Sequence, residues 1–482
     1  MLSLIAAAAM AQQTGSMATG TGSAKQAKEE TTVGSVPASP LSLDDCRNMA
    51  MSYNKGMAMK RTEREMAKML KKAARTKYLP HLNVMGGAIF SSREISLLTN
   101  KQKSTLNNLG TGVGSILGVS DPKVTGTLNA MGQSVTDAFH TNTRAMYMAT
   151  AMVTQPIYMG GAITAANNIA DINMTMAANK EELERQNTLQ NIDQTYWTVV
   201  SLRHKQKLAQ SYLNLVKKLD DDVAKMIKEG VATRADGLKV NVKVNEAEMA
   251  VTQVDDGVAL AKMLLCQTCG LPLDAQVTLA DEESETLNIS GDATATAPVG
   301  TIDRPETRLL QDAIDMSVQA TKLVRSAFLP QVMAAGGYLL TNPNVYDGFN
   351  RKFAGVWNIG VVVRVPVWNW FEGTYKVRAA KAATAIAKLE LSEAQEKIDL
   401  QVSQCNFKLN EATKKYAMAT KNVEKAEENL RCANVGFKEG VLQTTDVMTA
   451  QTAWMQAKSQ QIDAEVDVKL SQVNLKKALG TL

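Results

Sequence analysis

The sequence predicts an α+β membrane protein made of two internal repeats. Each repeat joins very long coiled-coil helices to two short strands, and several chains share the strands in one transmembrane barrel. Three observations carry this. A phrase returns, KEGVATRAD from Lys228 and KEGVLQTTD from Lys438, 210 residues apart. A heptad seam runs unbroken from Val402 to Phe437. Four proline-bounded segments set apolar residues on one face and polar or small ones on the other, as strands facing lipid do.

Composition limits the alternatives. The 482 residues carry a net charge of +5 with acidic and basic residues interspersed, so the basic stripe of a nucleic-acid binder is missing. Aromatics make up 5% against abundant Ala, Lys, Glu, Gln and Asn, a mix for long helices rather than a thick core. Five cysteines without framework spacing argue against a disulfide scaffold, and three distant histidines against a histidine metal site. Cys266 and Cys269 form a Cys-x-x-Cys, read as one surface and one packing position, because their matches 210 residues on are Lys476 and Leu479. The 25 methionines are scattered like gap-fillers rather than grouped like soft-metal ligands. No nucleophile with a base, metal set or phosphate loop is present, so neither an enzyme nor a cofactor is expected.

Along the chain, residues 1–11 read as a partial signal peptide, an apolar run ending in the small-x-small Ala9-Met10-Ala11. No cysteine follows, so no lipid anchor is expected there. Residues 12–40 read as a flexible leader. The first repeat spans 41–272, a linker 273–304, and the second repeat 305–482. In the first, a leading helix over Asp44–Tyr78 reaches Leu79-Pro80, and strands follow near 82–92 and 145–156. A helix on the order of 100 Å long then runs from Pro156 to Gly230, at 1.5 Å per residue. A second helix returns over Asp236–Gly270. It has about half that length, so the leading helix must complete the layer. The second repeat reads alike: Pro330, strands near 331–342 and 353–366, Pro366, a long helix to Gly440, and a return. Pro80, Pro156, Pro330 and Pro366 are read as strand–helix junctions. The first repeat holds about 40 extra residues between its strands, at about 93–143, rich in Gly, Asn, Ser and Thr and read as an exposed loop.

The seam alternates steps of three and four through Val402, Cys405, Leu409, Ala412, Tyr416, Ala419, Val423, Ala426, Leu430, Ala433 and Phe437. A looser version runs through Ile192, Tyr196 and Val199, then Tyr212, Leu215 and Leu219. At the turns, Gly230 and Gly440 suit the left-handed residue after a helix end. Thr233 stands at capping-box spacing from Asp236. Gln443 replaces that threonine before Asp446, so Thr444 or Thr445 is expected to cap instead. Among the strands, 353–366 sets Trp357, Ile359, Val361, Val363 and Val365 on one face. A strand of a soluble sheet would look the same; if the four lie in a membrane, they cannot close a barrel and lipid tolerates no open edge, so several chains must build it together.

Over residues 41–482 the chain resembles the TolC-like outer-membrane efflux ducts, the outer-membrane factors. The resemblance lies in the repeated Leu-Pro before the strands, in Gln155-Pro156-Ile157-Tyr158-Met159-Gly160-Gly161, and in the paired Gly-Val turns before Asp236 and Asp446. It implies a homotrimer, a twelve-stranded barrel in outer-membrane lipid and a helical tunnel through the periplasm. It implies a periplasmic adaptor protein and an inner-membrane pump of RND or ABC type as partners, and export of small molecules through a tripartite system. The tip turns Gly230, Val231, Thr233, Gly440, Val441 and Thr444 would meet the adaptor. Asp446 matches the family's gate carboxylate, and Asp236 its counterpart. This chain departs at three family gate positions, where it has Leu442 for an arginine, Phe437 for a tyrosine and Thr449 for a carboxylate. A type I protein-secretion duct would use the same fold; a non-membrane coiled-coil interaction protein would leave the strands unexplained.

Overall fold

The structure, a computed structural model, describes residues 40–92, 98–118, 121–139, 144–284, 303–344, 346 and 351–482. The expected signal peptide and most of the leader lie outside the described residues, as do parts of the insertion and of the linker. Helices α1 (Leu43–Tyr53) and α2 (Lys55–Thr76) lead to strand β1 (His81–Phe90). Three helices follow, α3 (Asn100–Asn107), α4 (Leu109–Leu117) and α5 (Pro122–Ala138), then β2 (Ala145–Met159), α6 (Ala162–Lys228) and α7 (Arg234–Cys269). The remainder is α8 (Pro305–Ser326), β3 (Gln331–Asn342), β4 (Ala354–Arg364), α9 (Glu372–Lys438) and α10 (Thr444–Ala478).

The helices form one layer of four columns. Helices α6 and α9, each 67 residues, run its whole length. Beside α6, the C-terminus of α7 meets the N-terminus of α2; between α6 and α9, α10 meets α8 in the same way. At the first joint Asn54 serves both helices. Its Oδ1 accepts the Gly56 N–H of α2 at 2.8 Å, and its amide donates to the Thr268 carbonyl of α7 at 2.9 Å. Orphan groups of both ends are thereby satisfied, and the negative end of one dipole faces the positive end of the next. The same residue breaks the leading helix expected over Asp44–Tyr78. Asn54 takes extended backbone between α1 and α2, because a capping side chain competes with helix continuation.

The α9 seam is buried as the heptads require. Val402, Leu409, Ala412, Ala419, Val423, Leu430, Ala433 and Phe437 face α10 and its neighbours. The largest apolar cluster gathers Ile192, Tyr196 and Val199 of α6 with Leu265 and Cys269 of α7 and Ala50 of α1. Cys46 and both members of the Cys-x-x-Cys lie in this cluster. Cys266 is therefore not the surface position expected: the segment after α7 folds back, and its Ala275 carbonyl faces the Cys266 thiol at 3.7 Å. Asp193, wholly buried, is held by Arg47 of α1, whose Nε donates to its Oδ1 at 2.8 Å.

The four strands make one antiparallel sheet in the order β1-β2-β3-β4. Its register sets Leu82 beside Val153, Val84 beside Ala151, Tyr338 beside Trp357 and Gly336 beside Ile359, so the apolar faces of all four strands coincide. Among the described residues no element covers that face; Trp357 and Ile359 are 74% and 80% exposed. Eleven residues at about 3.3 Å, tilted about 45°, span roughly 26 Å, the height of an outer-membrane apolar band. Among the described residues no helix is long and apolar enough to cross a membrane. Pro80 and Pro330 precede β1 and β3, and Pro366 follows β4. Pro156 is not at a junction: it lies inside β2 at a bulge against β3, where a missing N–H is tolerated. The insertion, read as a loop, is helical where described. Its glycines permit near-contact of backbones, and a Cβ on Gly132 would stand 1.8 Å from the Leu106 carbonyl oxygen.

Candidate gate at the hairpin tips

The two tip turns are built alike from their backbones. After α6, Gly230 takes φ 75°, and the N–H groups of Gly230 and Val231 donate to the carbonyls of Ile227 (3.1 Å) and Met226 (2.8 Å). After α9, Gly440 takes φ 71°, with Gly440 and Val441 donating to Phe437 (3.1 Å) and Gly436 (2.8 Å). Each is a Schellman ending, and a residue with a Cβ would strain it. The motif leaves Val231 and Val441 at the apex, 71% and 79% exposed.

The carboxylates that follow differ. Thr233 caps α7: its Oγ accepts the Asp236 N–H at 3.3 Å, its hydroxyl donates to Asp236 Oδ2 at 2.6 Å, and Lys239 Nζ stands 3.2 Å from Oδ1. The Thr233 hydroxyl first, then Lys239, holds the Asp236 carboxyl below its ordinary value. In the second tip neither Thr444 nor Thr445 caps. Gln443 occupies the cap position without a side-chain bond to the helix, and its N–H donates to Asp446 Oδ2 at 3.0 Å. Thr444 is buried as the first helical residue. Asp446 is exposed and has no cation beside it among the described residues. Equal sequence spacing thus yields one engaged carboxylate and one open one.

The tips stand side by side. Val223 and Val240 of the first share an apolar cluster with Phe437 and Val447 of the second. Phe437, where the family pattern has a tyrosine, is buried there. Thr449 turns inward to its own helix, its hydroxyl on the Thr445 carbonyl at 2.8 Å. Leu442 lies over Gly436, which has no side chain to displace it. Apolar packing therefore occupies two of the three positions of the expected polar links, Phe437 and Leu442, while the exposed Thr449 bonds back to its own helix. Sequence reasoning missed Lys239 and, at the strand–helix turns, the left-handed Trp370 and Phe371. Their 210-residue match to Gly160-Gly161 was the available signal for the latter pair.

Comparison with known proteins agrees with this architecture. A family model described as outer membrane efflux protein matches residues 120–270 and 308–481. Comparison with curated proteins gave no match. Among solved structures, the chain is similar to the CmeC outer membrane channel of Campylobacter jejuni, at 13% identity and TM-score 0.71, covering 91% of this chain and 85% of that one. It is similar to the outer membrane protein VceC of Vibrio cholerae, at 13% and 0.69, covering 91% and 96%. It also resembles the open-state MtrE outer membrane channel of Neisseria gonorrhoeae, at 15% and 0.67, covering 91% and 88%. Two thirds of the sequence under the family model, the shared fold and the uncovered apolar sheet place the chain in the outer membrane efflux protein family, whose members are channels rather than enzymes and whose place is the outer membrane.

Proposed function

We propose that three copies of this chain form the exit duct of a tripartite efflux system, opening at the hairpin tips and passing small molecules across the periplasm and outer membrane. The carrying observation is that the layer and the sheet are both unfinished at both sides. In the sheet, β1 and β4 each keep a free edge, which lipid does not tolerate. In the helical layer, the two outermost helices carry apolar stripes that nothing among the described residues covers. On α7 these are Leu238, Val242, Met249 and Leu260; on α9 they are Leu389, Leu400, Phe407 and Met418. Steps of 4, 7 and 11 keep each stripe on one helix face. Closing sheet and layer in register accounts for both edges at once, and twelve strands fit a barrel where four do not. At the tips, three copies of the open Asp446 then converge on one axis, with Asp236 behind it. A periplasmic adaptor would meet Val231 and Val441, and an inner-membrane pump would supply the energy.

The test joins mass and conductance. Light scattering in detergent should return three chains per particle, and planar bilayers should show channels blocked by divalent or trivalent cations. Asp446→Asn keeps shape and the Gln443 contact while removing three charges from the aperture; block should weaken and the trimer survive. A monomeric particle refutes the duct. Unchanged block in both Asp446→Asn and Asp236→Asn refutes the gate alone.

A further inference from the structure

The turn between β4 and α9 spends strain that its counterpart avoids. After β2, Gly160 and Gly161 take φ 62° and 86°. At the same place after β4, 210 residues on, Trp370 and Phe371 take φ 48° and 63°, where a side chain is disfavoured. Glycine would make this turn without strain, so the aromatics point to a function held at a cost. Trp370 and Phe371 are exposed, and both pack edge-on against Trp368. Trp368 and Phe371 line a groove of about 580 Å³ together with Arg325, Arg378 and Lys381, and Trp370 packs on Trp368 beside it. None of the three cations has a carboxylate partner among the described residues; Glu372, also in the groove, is paired with Lys376. The first half keeps Arg75 at the Arg325 position but lacks the other two charges. Where Arg378 and Lys381 stand, it has Asn168 and Asp171, and Asp171 is paired with Lys71 at 3.0 Å.

Strand β4 ends at this turn on the side of the long helices, so the groove lies at the inner boundary of the apolar band. Exposed indole rings settle at such a boundary, and unpaired guanidinium and ammonium groups beside them match lipid phosphates. We propose that the groove binds the phosphate headgroup of an anionic phospholipid in the inner leaflet of the outer membrane. The aromatic turn lies along the acyl chains, and Arg325, Arg378 and Lys381 hold the headgroup. The proposal rests on the sheet lying in the bilayer.

Tryptophan fluorescence separates these points. Full-length protein is reconstituted in phosphatidylcholine vesicles containing either brominated phosphatidylglycerol or brominated phosphatidylcholine at equal mole fraction. Trp357, on the lipid face of β4, reports insertion; Trp368 and Trp370 report the groove. Brominated phosphatidylglycerol should quench at least twofold more strongly. The preference should vanish in Arg325→Gln/Arg378→Gln/Lys381→Gln and shrink in Trp370→Gly/Phe371→Gly, which keeps the backbone of the Gly160-Gly161 turn. Equal quenching by both lipids in the wild type, or a preference surviving the triple substitution, overturns the proposal. Loss of the preference in inorganic phosphate but not in chloride of the same ionic strength assigns the groove to a free anion and overturns it too. If neither lipid quenches any tryptophan, the sheet is outside the bilayer, and both readings fall together.

Discussion

Removing the Arg47 guanidinium should loosen α1 from the layer far more than a surface charge would. The Asp193 carboxylate it serves is wholly buried, and Arg47 reaches it from another helix at 2.8 Å. Arg47→Met leaves that charge unpaired in the interior, a loss of about 3–5 kcal/mol for a buried pair. The lower figure applies, because the Arg47 side chain is 30% exposed and water can replace part of it. About 3 kcal/mol raises the population of the undocked state on the order of a hundredfold. The reporters are already in place: Cys46, the residue before Arg47, and Cys266 and Cys269 are buried to within 1%. With Cys405→Ser and Cys432→Ser as background, the rate of native-state thiol labelling reads the opening directly. Arg47→Met should label on the order of a hundred times faster. Arg47→Met/Asp193→Leu, which removes both charges, should return to within about tenfold of the parent. A rise below tenfold in the single variant, or a double variant that labels as fast as the single, would refute the reasoning.

Two further outcomes follow from the tip and the insertion. Asp236 has a depressed carboxyl pKa, so its hold on the first tip is present at neutral pH and is lost as pH falls below about 4, through its folded-state value. Protease nicking near Gly230 should therefore increase in acid, and Asp236→Asn should flatten that dependence; a parent profile without an acid limb speaks against it. Cysteines placed at exposed Ser104 (α3) and Ser134 (α5) should react with an impermeant reagent on intact cells, since the insertion joins the strand ends opposite the long helices. Reaction only after the outer membrane is disrupted would place the insertion inside.

What could be read in advance depended on periodicity. The α9 seam was legible because its heptads repeat five times, so a few misfits such as the half-buried Tyr416 do not disturb the pattern. The strands were legible because proline and alternation bound them, although Pro156 proved to mark a bulge within β2, not its end. The Asn54 break was not legible. One capping residue inside an otherwise helical run carries little weight until Thr268, more than two hundred residues later, supplies its second partner. The insertion misled for a related reason. Glycine and threonine suggest a loop, yet here glycine lets α3 and α5 approach closely enough to be stable together. At the candidate gate, spacing located both turns and both aspartates. It could not tell that one is held by a hydroxyl and a cation while the other accepts only a backbone N–H, because Lys239 and Gln443 decide that through contacts specific to each tip.

The butt joints at Asn54 and at the end of α10 govern how the chain can assemble. Neither interrupted column comes from one stretch of sequence: α2 waits for α7 and α8 for α10, each pair more than a hundred residues apart. During export, which begins at the N-terminus, α2 emerges with no α6 beside it and no α7 beneath it. When α6 is complete, one of its flanks still lacks the α8–α10 column. Local helix formation is fast, but these pairings are non-local and slow, so long apolar seams stay open until the last helix arrives. The seam of α9 therefore stays open longer than that of α6, because its partner α10 follows it in the chain whereas α6 already has α2 behind it.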